Sequence, residues 1–260
     1  MIASTRSRLA VTLLSVLLCG VCALVAAPRA YGQDDDATNA AGDNARKALD
    51  SVNMAVTPTL TGDTVSVSYT FRPRSAVEPD DWIWLKRPDK VTLASASNTF
   101  EGVDGLDCRA GSLAVGKVVH KIQLAPPCAI ELDFFLWYSG PNSRFAITLC
   151  EPKPTKGLAI DWGRQLVRKG GKNARIRKGF AREEMRSGTD YRVRCEVRDG
   201  RLVTTMNGAK LVDEELKPKE MLPGTIGFEI HDARVIIRTI TLEGKVDPKW
   251  AAKHAKKARR

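Results

Sequence analysis

The side chains with the greatest chemical capacity in this sequence stand at alternate positions of short apolar runs. In Gly224-Thr225-Ile226-Gly227-Phe228-Glu229-Ile230-His231, the apolar Ile226, Phe228 and Ile230 share one parity, and Gly227, Glu229 and His231 the other. A strand turns successive side chains to opposite faces, so burying the apolar set leaves a carboxylate and an imidazole side by side on the outer face. Leu158, Ile160 and Trp162 set Ala159 and Asp161 on the opposite parity in the same way, and Glu131, Asp133 and Trp137 form a third row. Carboxylates accept hydrogen bonds from hydroxyl groups and an indole covers the apolar face of a pyranose, so these rows hold the residue types of a sugar site. A solvated sheet face has the same pattern. His120, within Val118-Val119-His120-Lys121-Ile122, reads as core or strand surface. Trp82 and Trp84 share a parity and read as core anchors in preference to a stacking platform.

The elements that must position these residues are short strands. Val65, Val67, Tyr69 and Phe71 alternate with Ser66, Ser68 and Thr70. Ile130, Leu132, Phe134 and Leu136 alternate likewise, as do Phe145, Ile147 and Leu149. From Tyr191 to Asp213, Asp199-Gly200 and Asn207-Gly208 each separate two alternating runs, and both dipeptides supply the positive φ that a tight type I′ hairpin needs. This predicts a three-stranded meander. A further strand pair, Thr225 to His231 and Arg234 to Leu242, is joined at Asp232-Ala233. With no convincing helical period, the expected fold is all-β: an antiparallel two-sheet jelly-roll sandwich over residues 51 to 244. Residues 33 to 50 read as a polar linker. Residues 245 to 260 read as a basic tail able to contact an anionic envelope surface.

Residues 1 to 32 read as a signal peptide, with Arg6 and Arg8, an apolar run from Leu9 to Ala27, and Ala30-Tyr31-Gly32 as the cleavage site. A membrane anchor is the other reading of such a run. Leu18 and Val21, before Cys19 and Cys22, are too large for a lipoprotein cleavage site. The expected product is periplasmic or extracellular, with no transmembrane span after signal removal. Losing three Arg and no acid lowers the formal charge from +11 to +8. Cys108, Cys128, Cys150 and Cys195 remain, with three possible disulfide pairings left open and no zinc spacing. Cys195 also suits a small core position. The Arg-rich stretch from Arg164 to Arg186 would suggest nucleic acid in a cytoplasmic protein. Export directs the expectation away from nucleic acid, towards acidic polysaccharide, an anionic envelope surface or a solvated edge.

The stretch Gly224 to His231, followed by Val235-Ile236-Ile237-Arg238-Thr239-Ile240, resembles the closing strand pair of the 3-keto-disaccharide hydrolase (3-keto-glycoside lyase/hydratase) family. Met206-Asn207-Gly208 with Leu211-Val212-Asp213 is similar to its Leu-Asn-Gly hairpin, and Asn142-Ser143 to the start of its Asn-Ser-Gly motif. The resemblance implies the concanavalin-like lectin/glucanase fold and a carbohydrate or glycoside ligand. It also implies proton abstraction beside a 3-keto group, with an electrophile or divalent metal steadying the enolate. His231 would then be the base and Asp161 or Glu229 the metal or hydroxyl partner, with Asn142, Arg144 and Trp137 contacting substrate. Arg144 replaces the motif's Gly, Asp161 and Glu229 stand where the family has Gln, and Ala159 stands where it has an acid. With the motif so altered, a carbohydrate-associated domain at the envelope leads. An active hydrolase or lyase comes second, and a structural or protein-interaction module third.

Overall fold

The alternating runs become strands, and two segments without a strand pattern become helices. The computed structural model describes residues 33–71, 80–87, 89–94, 104–153, 156–162, 166–169, 172–175 and 185–257. Residues 1 to 32, expected to be a signal peptide, and most of the Arg-rich stretch lie outside them. The helices are α1 (Gln33–Ser51) and α2 (Pro248–Lys257). Between them run β1 (Thr59–Thr61), β2 (Thr64–Thr70), β3 (Trp82–Lys86), β4 (Lys90–Ala94), β5 (Gly105–Glu151) and β6 (Leu158–Asp161). Then follow β7 (Leu166–Lys169), β8 (Lys172–Arg175), β9 (Thr189–Arg198), β10 (Arg201–Met206), β11 (Ala209–Glu215) and β12 (Gly224–Val246).

Two long ribbons organise the sandwich. Along β12 the first arm, 224–231, lies between two arms of β5: Gly227 pairs with Val119 on one side and Thr148 on the other. The second arm lies beside a third stretch of β5, with Val235 opposite Leu136 and Gly244 opposite Cys128. Partner numbers fall as β12 numbers rise, so the strands run antiparallel. The two arms of β12 do not pair with each other. At Asp232, φ is 48° and the chain passes from one layer to the other. Sheet I therefore contains 224–231 with β3, β6, β7 and β8, and sheet II contains 233–246 with β2, β9, β10 and β11.

The layers meet over the alternating apolar set. Phe134 of sheet II packs against Phe145 of sheet I with tilted rings, 4.6 Å between centroids, and Tyr69 meets Trp82 at 5.6 Å. Trp82 is a core anchor as expected, with Trp84 packed against the same core. Cys195 is buried within it, takes a hydrogen bond from Thr204 Oγ1, and has its thiol pKa pushed up to about 12 by burial.

Both chain segments expected to lie outside the sandwich are helical. In α1, Ala45, Ala48 and Leu49 make a narrow buried stripe at i, i+3, i+4 against α2. Alanine has the highest helix propensity and adds little apolar signal, so a polar composition conceals such a stripe. In α2, Asp247 accepts the Lys249 N–H, Pro248 follows it, and Trp250, Ala251 and Ala255 are buried. No described helix is long and apolar enough to cross a membrane.

The meander forms as expected, with both turns left-handed: Asp199 at φ 51° and Gly200 at 72°, Asn207 at 49° and Gly208 at 83°. A Cβ on Gly208 would meet nothing within 4 Å, so a larger residue there is opposed by backbone conformation alone. Gly208→Val should lower stability by about 1–3 kcal/mol through that strain. A urea midpoint equal to the parent's would remove the turn assignment.

Candidate functional site

Strand pairing places paired residues on a common face, and the outer face of sheet I gathers the charges. Glu229 pairs with Lys117 on one side and Ala146 on the other, and Ala146 pairs with Asp161. One row along, Gly227 pairs with Val119 and Thr148, and Ala159 links Thr148 to Arg168. His231 pairs with Arg144. The floor consists of small or short side chains, Gly227, Ala146, Thr148 and Ala159, all buried. A Cβ at Gly227 would lie 2.0 Å from the Val118 carbonyl oxygen, so only glycine lets these strands close up.

Long charged side chains surround that floor in ion pairs. Lys117 Nζ lies 2.8 Å from Glu151 Oε2 and 2.7 Å from Glu229 Oε1. The Arg168 guanidinium reaches Glu151 Oε1 at 3.1 Å and Glu229 Oε1 at 3.8 Å. Arg144 holds Asp161 Oδ2 through Nε at 3.0 Å and its terminal nitrogen at 2.9 Å. Three cations thus oppose three carboxylates. The Thr148 hydroxyl is fully buried and, like Arg168 Nε, has no hydrogen-bond partner among the described residues.

The structure therefore brings His231, Glu229, Asp161 and Arg144 onto one face. Trp137 is elsewhere. It stands on the outer face of sheet II with Phe135 and Ile236, its ring covered by the Arg234 guanidinium at 4.4 Å, and Asp107 holds that guanidinium at 2.9 and 2.7 Å. The expectation that Trp137 contacts a ligand bound at His231 fails for a topological reason: β5 changes layer between residues 137 and 144. Glu131 and Asp133 share the sheet II face and pair with Arg192 and Arg238. Asn142 lies within β5, and its side chain is not among those described.

Lys117, Glu151 and Thr148 are the members that sequence reading missed, and Arg168 was read only as part of the Arg-rich stretch. Glu151 was hidden by a β-bulge. Thr148 faces Gly227 but Glu151 faces Thr225, so three steps along β5 match two along β12, with Cys150 at φ 50° as the extra residue. Simple alternation would turn Glu151 into the core. Nothing in the local pattern announces the bulge.

A divalent cation does not fit this donor set. Glu229 and Asp161 are neutralised by Lys117 and Arg144, and the described residues contain no group of three His, Cys, Asp or Glu placed to hold a metal.

No protein-family profile matches the chain, and no curated protein sequence matches it. Solved structures do. The carbohydrate-binding module CBM66 from Bacillus subtilis matches at 15% identity and TM-score 0.43, over 61% of this chain and 92% of that one. A Bacillus subtilis protein of unknown function with a galectin-like fold matches at 12% identity and TM-score 0.46, over 68% and 96%. A native glycosidic hydrolase matches at 12% identity and TM-score 0.47, over 68% and 94%. At these values the similarities carry no argument about ligand or activity. The strand pairing itself defines the class: an all-β, antiparallel two-sheet sandwich with a polar face on sheet I.

Proposed function

We propose that the chain is an exported carbohydrate-binding sandwich whose ligand lies across the outer face of sheet I, over Arg144, Asp161, Glu229 and His231. The observation that carries this reading is the largely buried, ion-paired cluster on the outer face of sheet I, beside a buried Thr148 hydroxyl with no described partner. A sugar hydroxyl is both donor and acceptor, and the Arg144–Asp161 pair offers an acceptor and donors in one fixed geometry. Because the ion pairs hold these groups in place, a ligand meets them already oriented. The balance of three cations and three carboxylates favours a neutral glycan over an acidic polysaccharide. The charged start, apolar run and small-residue site at the N-terminus support export.

A 3-keto-glycoside lyase or hydrolase is less well supported. That chemistry needs a base at the C2 hydrogen and an electrophile for the enolate. With Glu229 and Asp161 engaged by cations, it rests on His231 alone.

Screening the protein against neutral and acidic glycans, with and without a chelator, tests the proposal. Binding to a neutral glycan should be indifferent to the chelator. His231→Ala alters a half-buried surface side chain, so stability should change by no more than roughly 0.5 kcal/mol. Affinity should fall about tenfold or more, the range for losing one hydrogen bond to a polar or charged group. Absence of binding across the screen, or unchanged affinity in both His231→Ala and Arg144→Ala, would overturn the reading.

A further inference from the structure

Cys128 and Cys150 meet across the core with their Sγ atoms 3.3 Å apart. They come from different layers: Cys128 pairs with Val197 in sheet II, and Cys150 follows Leu149, which pairs with Leu158 in sheet I. Two local features aim them at each other. The left-handed bulge at Cys150 turns its side chain inward, where alternation from Thr148 would have turned it out. Gly244, opposite Cys128, leaves room for it, since a Cβ there would lie 2.6 Å from the Cys128 Cβ.

We propose that Cys128 and Cys150 form a disulfide in the exported protein by exchange with an external disulfide. The sulfurs must approach by about 1.3 Å to reach the bond length of 2.03–2.05 Å. Both cysteines are buried in the core, at 4% and 1% exposure. Local opening exposes the pair, and the Cys128 thiolate attacks one sulfur of the external disulfide, expelling the other as a thiolate. The Cys150 thiolate then attacks the Cys128 sulfur of the mixed disulfide and expels the second external thiolate. The protein loses two protons and two electrons, and the external disulfide becomes two thiols. Contact with Cys150, together with burial, holds the Cys128 thiol pKa well above its ordinary value, so exchange is slow at neutral pH and quickens as pH rises. The bond would tie the two layers together at the bulge that turns Glu151 outward. It depends on export and is independent of what the sheet I face binds.

The test uses the full chain, equilibrated with oxidised glutathione at mildly alkaline pH, alkylated and digested with trypsin. Cleavage after Arg144 separates the two cysteines into peptides 122–144 and 145–156. The expected result is these two peptides joined, and released by reduction. Reduction should also lower the unfolding temperature by on the order of 10 °C, as for a bridge closing a loop of this length, and should have no such effect in Cys150→Ala. Recovery of both peptides separately alkylated, or of Cys128 joined to Cys108 or Cys195, overturns the proposal. If Cys150→Ala does not fold, the peptide map of the parent protein decides.

Discussion

Replacing Lys117 by methionine should cost about 3–5 kcal/mol of stability, the range for removing one partner of a buried ion pair. The Lys117 side chain is 9% exposed, lies against Glu151 at 1% and Glu229 at 13%, and its ammonium is within 2.8 Å of both carboxylates. Methionine fills a similar volume, so packing changes little and the loss is electrostatic. Arg168 retains a contact with Glu151 at 3.1 Å, which places the expectation in the lower half of the range. Two further variants separate this from a general surface effect. Lys117→Met with Glu229→Gln removes one of the uncompensated charges and should recover a good part of the loss. Lys210→Met breaks a solvent-exposed pair with Asp213 and should leave the urea midpoint close to the parent's. Urea unfolding of the three variants is the measurement. A Lys117→Met protein within about 1 kcal/mol of the parent would mean the cluster is solvent-screened, and the fixed polar face would lose its physical basis.

What could be read from sequence was whatever two-residue alternation controls. Phe228 and Ile230 pointing in while Glu229 and His231 point out follows from parity, and so do the inward rows of Ile130 to Leu136 and Phe145 to Leu149. The Asn207-Gly208 turn was equally legible, because the required φ selects the residues. Long-range pairing was not. Lys117 and Glu229 are 112 positions apart, and they meet only because the first arm of β12 inserts between two arms of β5. The same topology sends Trp137 to the opposite face from His231. Single-residue irregularities were also silent: the bulge at Cys150 reverses the facing of Glu151, and the left-handed Asp232 divides what reads as one strand pair between two sheets. The helices were missed for a third reason. The buried stripe of α1 is mostly alanine, and α2 has Trp250 as its one large apolar anchor, so neither gives the strong period that marks an amphipathic helix.

Acidification from pH 7 to pH 4 should remove stability through His120, by on the order of 3 kcal/mol. This imidazole is 1% exposed, and burial lowers its pKa from 6.5 to about 4, a shift that the Asp81 carboxylate partly opposes and Lys121 slightly reinforces. Its hydrogen bonds define the tautomer. The Ile122 N–H donates to Nδ1 at 3.2 Å, so Nε2 carries the proton and donates to Tyr69 Oη at 2.6 Å. The Tyr69 hydroxyl then donates to Asp81 Oδ2 at 2.9 Å, and Asp81 also accepts the N–H groups of Ala55 and Val56. Burial and Asp81 push the Tyr69 pKa far above its usual value, so the hydroxyl keeps its proton. Every proton in the chain of bonds has one place, and an additional proton on Nδ1 would displace the Ile122 N–H. Between pH 6.5 and about 4 the unfolded imidazole binds a proton that the folded one refuses, so stability is full above the upper limit and falls as pH drops through the window. The slope approaches about 1.4 kcal/mol per pH unit inside it. His120→Phe should be less stable at pH 7, because the Ile122 N–H loses its acceptor, but its stability should fall less steeply between pH 6.5 and pH 4. Urea unfolding of both proteins across that range gives the difference in slope. Parallel pH profiles would show that His120 titrates normally in the folded protein, and the buried chain of bonds from Ile122 to Asp81 would have to be abandoned.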